Sequence, residues 1–111
     1  MIIEDIKIME KIYDEISNSL LIQNIEYKDF TYQYYWYENY SMSCSKIVLI
    51  GLNGEDIIDK GVDNDAPELS VLIRTLRLQM EDRGDNWKSM SLKFINGKVT
   101  INFSYAENPP P

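Results

Sequence analysis

The sequence predicts an α+β protein in which two helices cover one face of an antiparallel sheet of about five strands, in the order α-β-β-β-α-β-β. Three observations support this fold class. Two segments repeat apolar residues at helical spacing, several others alternate apolar and polar residues, and Asn-Gly occurs twice between alternating segments. We expect residues 1–106 to form a single α+β domain and residues 107–111 to form a flexible Pro-rich tail.

The first element is an amphipathic helix that extends to about Leu21. Its apolar residues recur every three or four positions, and most charged residues fall on the other side. The residues expected to form its buried stripe are Ile2, Ile6, Met9, Tyr13, Ile16 and Leu20.

A long first strand follows, from Tyr27 to Tyr37, because the side chains alternate with a period of two. The face that includes Asp29 and Tyr35 is mixed in polarity and is expected to be the more open one. The residues of the opposite face, expected in the core, are Phe30, Tyr32, Tyr34 and Trp36.

A second strand is predicted from Lys46 to Leu52, followed by a short third strand that contains Ile57 and Ile58. Asn53-Gly54 supplies the positive backbone dihedrals of a two-residue hairpin turn. With that turn, Ile50 would lie opposite Ile57.

A second helix is predicted after Asp65, which can cap it, and Pro67 and Glu68 suit its first turn. Gly84 is placed to end this helix. The residues expected to be buried along it are Leu69, Leu72, Ile73, Leu76 and Met80.

The last unit is a β-hairpin with its turn at Asn96-Gly97. This turn sets apolar residues opposite each other on one face and polar residues opposite each other on the second face. The apolar pairs are Phe94 with Val99, Leu92 with Ile101 and Met90 with Phe103; the polar pairs are Lys93 with Thr100, Ser91 with Asn102 and Ser89 with Ser104.

Composition limits the classes of function. The chain of 111 residues has no histidine and a single cysteine, so it lacks the commonest general base, an internal disulfide and the usual zinc ligands. No phosphate-binding loop, EF-hand loop or hydrolase motif occurs. We therefore expect a protein that is not an enzyme, has no catalytic residues, and needs no cofactor or metal. The N-terminal residues do not resemble a signal peptide, and a reducing cytoplasm fits best.

Charge points to a protein partner. The net charge is −7, and residues 55–68 hold six acidic side chains against one lysine. Nucleic acid and membrane are not expected as partners, because the chain shows neither a basic stripe nor an apolar span. A basic protein surface is the partner that complements such a segment. Solvation alone is the simpler explanation of the same charges.

The residues expected to bind this partner are of two kinds. Tyrosines outside the predicted core supply contact area, since tyrosine is enriched at interface hot spots, and carboxylates of the acidic segment supply charge. The predicted partner-binding residues are Tyr35, Tyr37, Tyr40, Glu55, Asp56, Asp59, Asp63 and Asp65.

The amphipathic helix from Ile6 to Leu21 and the ending Trp87-x-x-Met90-x-Leu92, Gly97, Val99, Phe103-x-Tyr105 resemble the YezG-like immunity proteins. This resemblance covers nearly the whole chain in element order. It implies a small cytoplasmic antitoxin that binds and neutralises the toxin domain of a bacterial polymorphic toxin, often a nuclease, as in contact-dependent inhibition. Trp87 and Tyr105 are expected to be structural residues.

Two hypotheses of function follow. The first is an immunity protein that occludes a basic toxin domain directly. The alternative is a structural or regulatory adaptor that acts through self-association of a sheet edge or a helix face. The oligomeric state expected is a monomer or a weak homodimer.

Overall fold

The computed structural model describes residues 2–37, 44–58, 66 and 68–108. It confirms the α+β class and the predicted element order, with a five-stranded antiparallel sheet. The elements are α1 Ile3–Ile22, β1 Asp29–Tyr35, β2 Cys44–Ile50, β3 Asp56–Ile58, α2 Leu69–Asp82, β4 Ser89–Ile95 and β5 Lys98–Ser104.

The contacts divide the chain into two compact units. The helical unit comprises Met1–Ile25 and Gly61–Asn86 and contains α1 and α2, which contact each other. The sheet unit comprises Glu26–Lys60 and Trp87–Pro111 and contains all five strands. Each unit is therefore built from two separate stretches of the chain.

The buried stripe of α1 differs from the prediction at its N-terminal end. Ile2 and Ile6 are exposed, whereas Asp5 is completely buried. The spacing is still helical, but Asp5 is polar, so hydropathy predicts its neighbour Ile6 in its place. Further along the helix, Ile12 is buried and the predicted Tyr13 is half-buried. The buried residues of α1 are Asp5, Met9, Ile12, Ile16, Ser19 and Leu20.

An ion pair explains the buried carboxylate. Arg83, one residue beyond α2, donates a hydrogen bond through Nη2 to Oδ2 of Asp5. Arg83 keeps 38% of its side chain exposed, while Asp5 has none exposed. A buried charge needs a partner of this kind, because a carboxylate removed from water without one is costly. The pair joins the first turn of α1 to the end of α2.

Both helices end with a residue in the left-handed region. Asn24 has φ 56° after α1, and Gly84 has φ +83° after α2. Behind Gly84, the Asp85 N–H donates to the Met80 carbonyl over 2.9 Å and the Gly84 N–H donates to the Glu81 carbonyl over 2.9 Å. These two hydrogen bonds form a Schellman motif, which confirms that Gly84 terminates α2.

The start of α2 differs from the predicted cap. The helix begins at Leu69, and Glu68 occupies the N-cap position without a capping hydrogen bond from its side chain. Asp65 and Pro67, the predicted cap and first-turn residue, lie outside the described residues. Four of the five residues predicted for the buried stripe are buried, and Leu72 is half-buried. Arg77 is also completely buried, and its Nη1 lies 2.8 Å from Oε2 of Glu81.

Replacing Gly84 with alanine is expected to lower the free energy of unfolding by about 1–2 kcal/mol, because an L-residue is disfavoured at positive φ. Nothing lies within 4 Å of the position that the new Cβ would occupy, so the loss reports backbone strain alone. Urea denaturation measures it, with Ser70→Ala in the first turn of α2 as the control. A Gly84→Ala protein as stable as the control would contradict the assignment.

The sheet has the strand order β3-β2-β1-β4-β5. The hairpin of β4 and β5 has the predicted register at every pair, from Phe94 opposite Val99 to Ser89 opposite Ser104. Asn96 and Gly97 both have positive φ, 52° and 76°, as a two-residue type I′ turn requires. The predicted turn is confirmed.

The register predicted for β2 and β3 is wrong by one residue. Ile57 lies opposite Leu49, and Ile50 lies opposite Asp56. The loop has three residues and not two: the Gly54 N–H donates to the Gly51 carbonyl over 3.0 Å, and the Gly51 N–H donates to the Glu55 carbonyl over 2.7 Å. Gly54, at φ +85°, supplies the left-handed residue that such loops need. The shift puts Ile57 on the same face as buried Leu49.

The two faces of the sheet differ in burial. Residues of β1 alternate between buried and half-buried along the strand. Trp36, predicted in the core, is half-buried and lies just past the end of β1. The buried residues of the first face are Phe30, Tyr32, Tyr34, Ile47, Leu49, Met90 and Leu92.

Candidate protein-binding surface

The second face of the sheet carries the residues that alternate with the buried ones. Its central strand contributes Asp29, Thr31, Gln33 and Tyr35, all half-buried between neighbouring strands. The outer strands on the β5 side contribute polar side chains. The main ones are Ser91, Lys93, Thr100 and Asn102. On the β5 side the face is mostly neutral and hydrogen-bonding, whereas on the β2 side it also carries half-buried Val48 and Ile50. An aromatic residue lies at one end.

That aromatic residue belongs to a pair. The rings of Tyr35 and Tyr37 have centroids 6.5 Å apart and planes inclined by 44°. Both side chains are half-buried, so each keeps part of its ring accessible. The Trp36 N–H donates to the Lys88 carbonyl over 2.9 Å, which continues the pairing of β1 with β4 beyond the strand and fixes the backbone between the two tyrosines. The structure thus brings together two of the three predicted tyrosines.

The backbone behind the pair has a second restraint that the sequence did not indicate. The side-chain amide of Asn108 donates to the Trp36 carbonyl over 2.9 Å and to the Lys88 carbonyl over 2.7 Å. One residue therefore ties the chain after β5 to the ends of β1 and β4. A single asparagine next to a proline run gives no sequence signal of such a role.

Glu55, which the sequence predicts to bind a partner, contacts its own loop. Its Oε2 accepts a hydrogen bond from the Asn53 N–H over 3.1 Å. Its carboxylate also lies over Gly51, where a Cβ would collide with it. A side chain at position 51 would therefore displace this carboxylate from the loop. The residue is exposed, but its carboxylate stabilises the turn between β2 and β3.

Asp56 is exposed and lies on the second face, because it is directly opposite Ile50 and Ile50 is directly opposite Asp29. It is nevertheless remote from the tyrosine pair. Its neighbour on β2 is Ile50, whereas the neighbour of Tyr35 is Cys44, six residues along the same strand. This spacing corresponds to about 20 Å at the usual rise of a strand. The predicted acidic and aromatic residues therefore lie on one face but at opposite ends.

Four predicted partner-binding residues lie outside the described residues: Tyr40, Asp59, Asp63 and Asp65.

The charge is divided very unequally between the two units. The helical unit holds 11 acidic and 5 basic residues, a net charge of −6, and the sheet unit holds 7 acidic and 6 basic residues, a net charge of −1. The second face itself is nearly balanced: Asp29 and Asp56 are offset by lysines such as Lys46 and Lys93. Asp29 is further engaged, since its Oδ1 accepts a hydrogen bond from the Asn96 N–H over 3.1 Å. The long-range field of the protein thus arises mainly from the helical unit, and the aromatic contact area lies on the sheet unit.

Within the described part of the chain, no three carboxylate or thiol side chains come together in a way that would hold a metal ion. Among the same residues, no helix combines the length and apolarity needed to cross a bilayer.

Comparisons of the sequence with models of known protein families and with curated proteins found no match.

Proposed function

We propose that this chain is an immunity protein of the YezG-like type, which binds a basic bacterial toxin domain, most simply a nuclease, and neutralises it by occlusion. The observation that carries the proposal is the Tyr35–Tyr37 pair on the second face of the sheet. Tyrosines that are partly exposed and already held in place lose little conformational freedom on binding, which is typical of interface hot spots. The proposed site of action is the cytoplasm, where such a toxin meets its substrate.

Charge and contact have separate roles in this mechanism. The −6 charge of the helical unit attracts a cationic toxin over long range and raises the association rate. The second face is nearly neutral, carries hydroxyl and amide groups on its β5 side, and supplies short-range contacts. A nuclease must expose a basic cleft to its phosphate substrate, so a bound acidic protein competes with the nucleic acid for that cleft.

Co-expression tests the proposal directly. The open reading frame next to the gene for this chain would be expressed with and without it in a host that the toxin kills. The expected result is rescue of growth together with co-purification of the two proteins. Tyr35→Ala combined with Tyr37→Ala is expected to abolish rescue, while Tyr35→Phe combined with Tyr37→Phe keeps it. Growth inhibition that persists with a folded, soluble chain would refute the function.

Reversing three carboxylates of the acidic segment provides a kinetic prediction. Asp56→Lys, Asp59→Lys and Asp63→Lys together change the net charge by +6, so association with the toxin is expected to slow by about tenfold or more at low salt and to lose much of its salt dependence. Stopped-flow association measures both. The corresponding Asn variant changes the net charge by half as much. Its association rate is expected to lie between those of the unmodified chain and the Lys variant. Unchanged rates would remove the acidic segment from the mechanism.

A further inference from the structure

We propose that β5 is a homodimer edge, on which a second copy of this chain pairs its own β5 in antiparallel orientation about a twofold axis at Ile101. The inference does not depend on toxin binding, since it concerns the sheet unit and needs only the purified chain.

The first observation is the position of β5. It is the last strand of the sheet on its side and has seven residues without proline or bulge, all paired in regular register with β4. Among the described residues, no strand pairs with its outer side. Residues 105–108 do not run back along this edge, because Asn108 is held at the ends of β1 and β4.

The second observation is the direction of the backbone groups. In an antiparallel pair, consecutive residues alternate between hydrogen bonding to the neighbouring strand and pointing away from it. The two-residue turn makes Ile95 and Lys98 the closing hydrogen-bonded pair. The N–H and C=O groups of Val99, Ile101 and Phe103 therefore point outward, away from β4. An additional antiparallel strand would satisfy all of them.

The third observation is that the two edges of the sheet are not equivalent. The opposite edge, β3, has only three residues and carries an exposed aspartate at its start. Short, charged edge strands pair poorly with other strands, whereas long, uncharged edge strands pair readily. On β5 the single charge is Lys98 at the beginning, and the remaining six residues are uncharged. Val99 is 44% exposed, so pairing would remove apolar surface from water.

The fourth observation favours a second copy as the occupant. With the axis at Ile101, Val99 of one copy lies opposite Phe103 of the other, and the two Ile101 side chains lie opposite each other on the axis. Thr100 lies opposite Asn102, and Lys98 lies opposite Ser104. Apolar residues thus meet apolar residues, polar meet polar, and the lysines are kept apart. From Trp87 to Ala106 the chain has three lysines and no acidic residue, so the carboxylates that make the protein anionic are absent from this hairpin.

Cysteine cross-linking tests the register. In a Cys44→Ser background, Ile101→Cys places two sulfurs across the axis at a Cα separation of about 5.5 Å, within reach of a disulfide. The matched control is Lys98→Cys on the same strand, where the two cysteines would lie about 20 Å apart. Mild oxidation is expected to give a covalent dimer with Ile101→Cys only. Equal cross-linking at both positions, or none at either, would overturn the proposal.

Sedimentation equilibrium tests the interface without cross-linking. The unmodified chain is expected to show a monomer–dimer equilibrium, and Ile101→Lys, which sets like charges opposite each other, should weaken it about tenfold or more. Val99→Pro, which removes an outward N–H and keeps the ladder to β4, is the second variant, and Val71→Lys on the exposed side of α2 is the charge-matched control. Circular dichroism verifies folding of each. The proposal would be refuted if the unmodified chain stays monomeric or if its β5 pairs only with strands of other proteins. A dimer whose dissociation constant is unchanged by both Ile101→Lys and Val99→Pro would also refute it.

Discussion

Removal of both rings of the tyrosine pair, by Tyr35→Ala and Tyr37→Ala, is expected to weaken binding of the proposed toxin partner by about thirtyfold or more, which corresponds to about 2 kcal/mol. The two rings are neighbours, with centroids 6.5 Å apart, so their contributions are not independent. Each single variant, Tyr35→Ala or Tyr37→Ala, is expected to lose most of the binding free energy that the double variant loses. Isothermal titration calorimetry at fixed salt, with the purified variants, measures the loss.

Two controls make this result specific. The double phenylalanine variant keeps the rings and is expected to bind within about threefold of the unmodified chain. Thr100→Ala, on the same face but at its β5 side, is expected to have no measurable effect on toxin binding. Loss of affinity with Thr100→Ala but not with the tyrosine variants would move the interface to the other end of the face. Thermal unfolding of each variant separates a binding loss from a folding loss.

Replacement of Trp87 by alanine is expected to reduce the free energy of unfolding by about 3–5 kcal/mol. The indole is completely buried, and its ring packs against Phe103 with centroids 5.2 Å apart and planes inclined by 31°. Alanine at this fully buried position removes the ring contact with Phe103 and leaves a cavity in its place. Because a small protein is stable by only about 5–15 kcal/mol, this variant is expected to be partly unfolded at 37 °C. Urea denaturation gives the value.

Tyr105 is the natural comparison, because the sequence suggested a structural role for both residues. Its side chain is 59% exposed, so Tyr105→Ala is expected to cost less than about 1 kcal/mol. Trp87→Phe retains part of the ring volume. Its loss of unfolding free energy is expected to lie between the losses of Trp87→Ala and Tyr105→Ala. Equal losses at Trp87 and Tyr105 would contradict the burial that separates them.

The parts of the fold that follow from sequence are those in which local chemistry decides. Asn96-Gly97 fixes a turn, and that turn then fixes every pair between β4 and β5. Gly84 ends α2 in the same local way. By contrast, Asn53-Gly54 predicted an equally tight turn, but the register between β2 and β3 differs from that prediction by one residue. Gly51 and Glu55 close a longer loop there, and this choice also places Ile57 on the face of buried Leu49.

The candidate site was predicted less completely. Tyr35 was placed on the more open face by alternation alone, and the structure agrees because the period of a strand is insensitive to its surroundings. The backbone between Tyr35 and Tyr37 is held by the hydrogen bond from the Trp36 N–H to the Lys88 carbonyl, and these two residues are far apart in sequence. The hydrogen bond from the Asn53 N–H to the Glu55 carboxylate was not predicted, because the sequence does not show which acidic side chain contacts its own loop.

The sequence by itself determined the fold class, the order of the elements, the end of α2 and the last hairpin, because these depend on periodicity and on turn residues within a few positions of each other. The tertiary structure decided which polar residues are buried and how charge is distributed. Asp5 lies in the buried stripe of α1 because Arg83, 78 residues away, supplies its partner. The helical unit holds nearly all of the net charge because two distant stretches of chain, each acidic, fold together. Pairing of distant residues is invisible to periodicity, since the free energy that selects it arises only when the chain is compact.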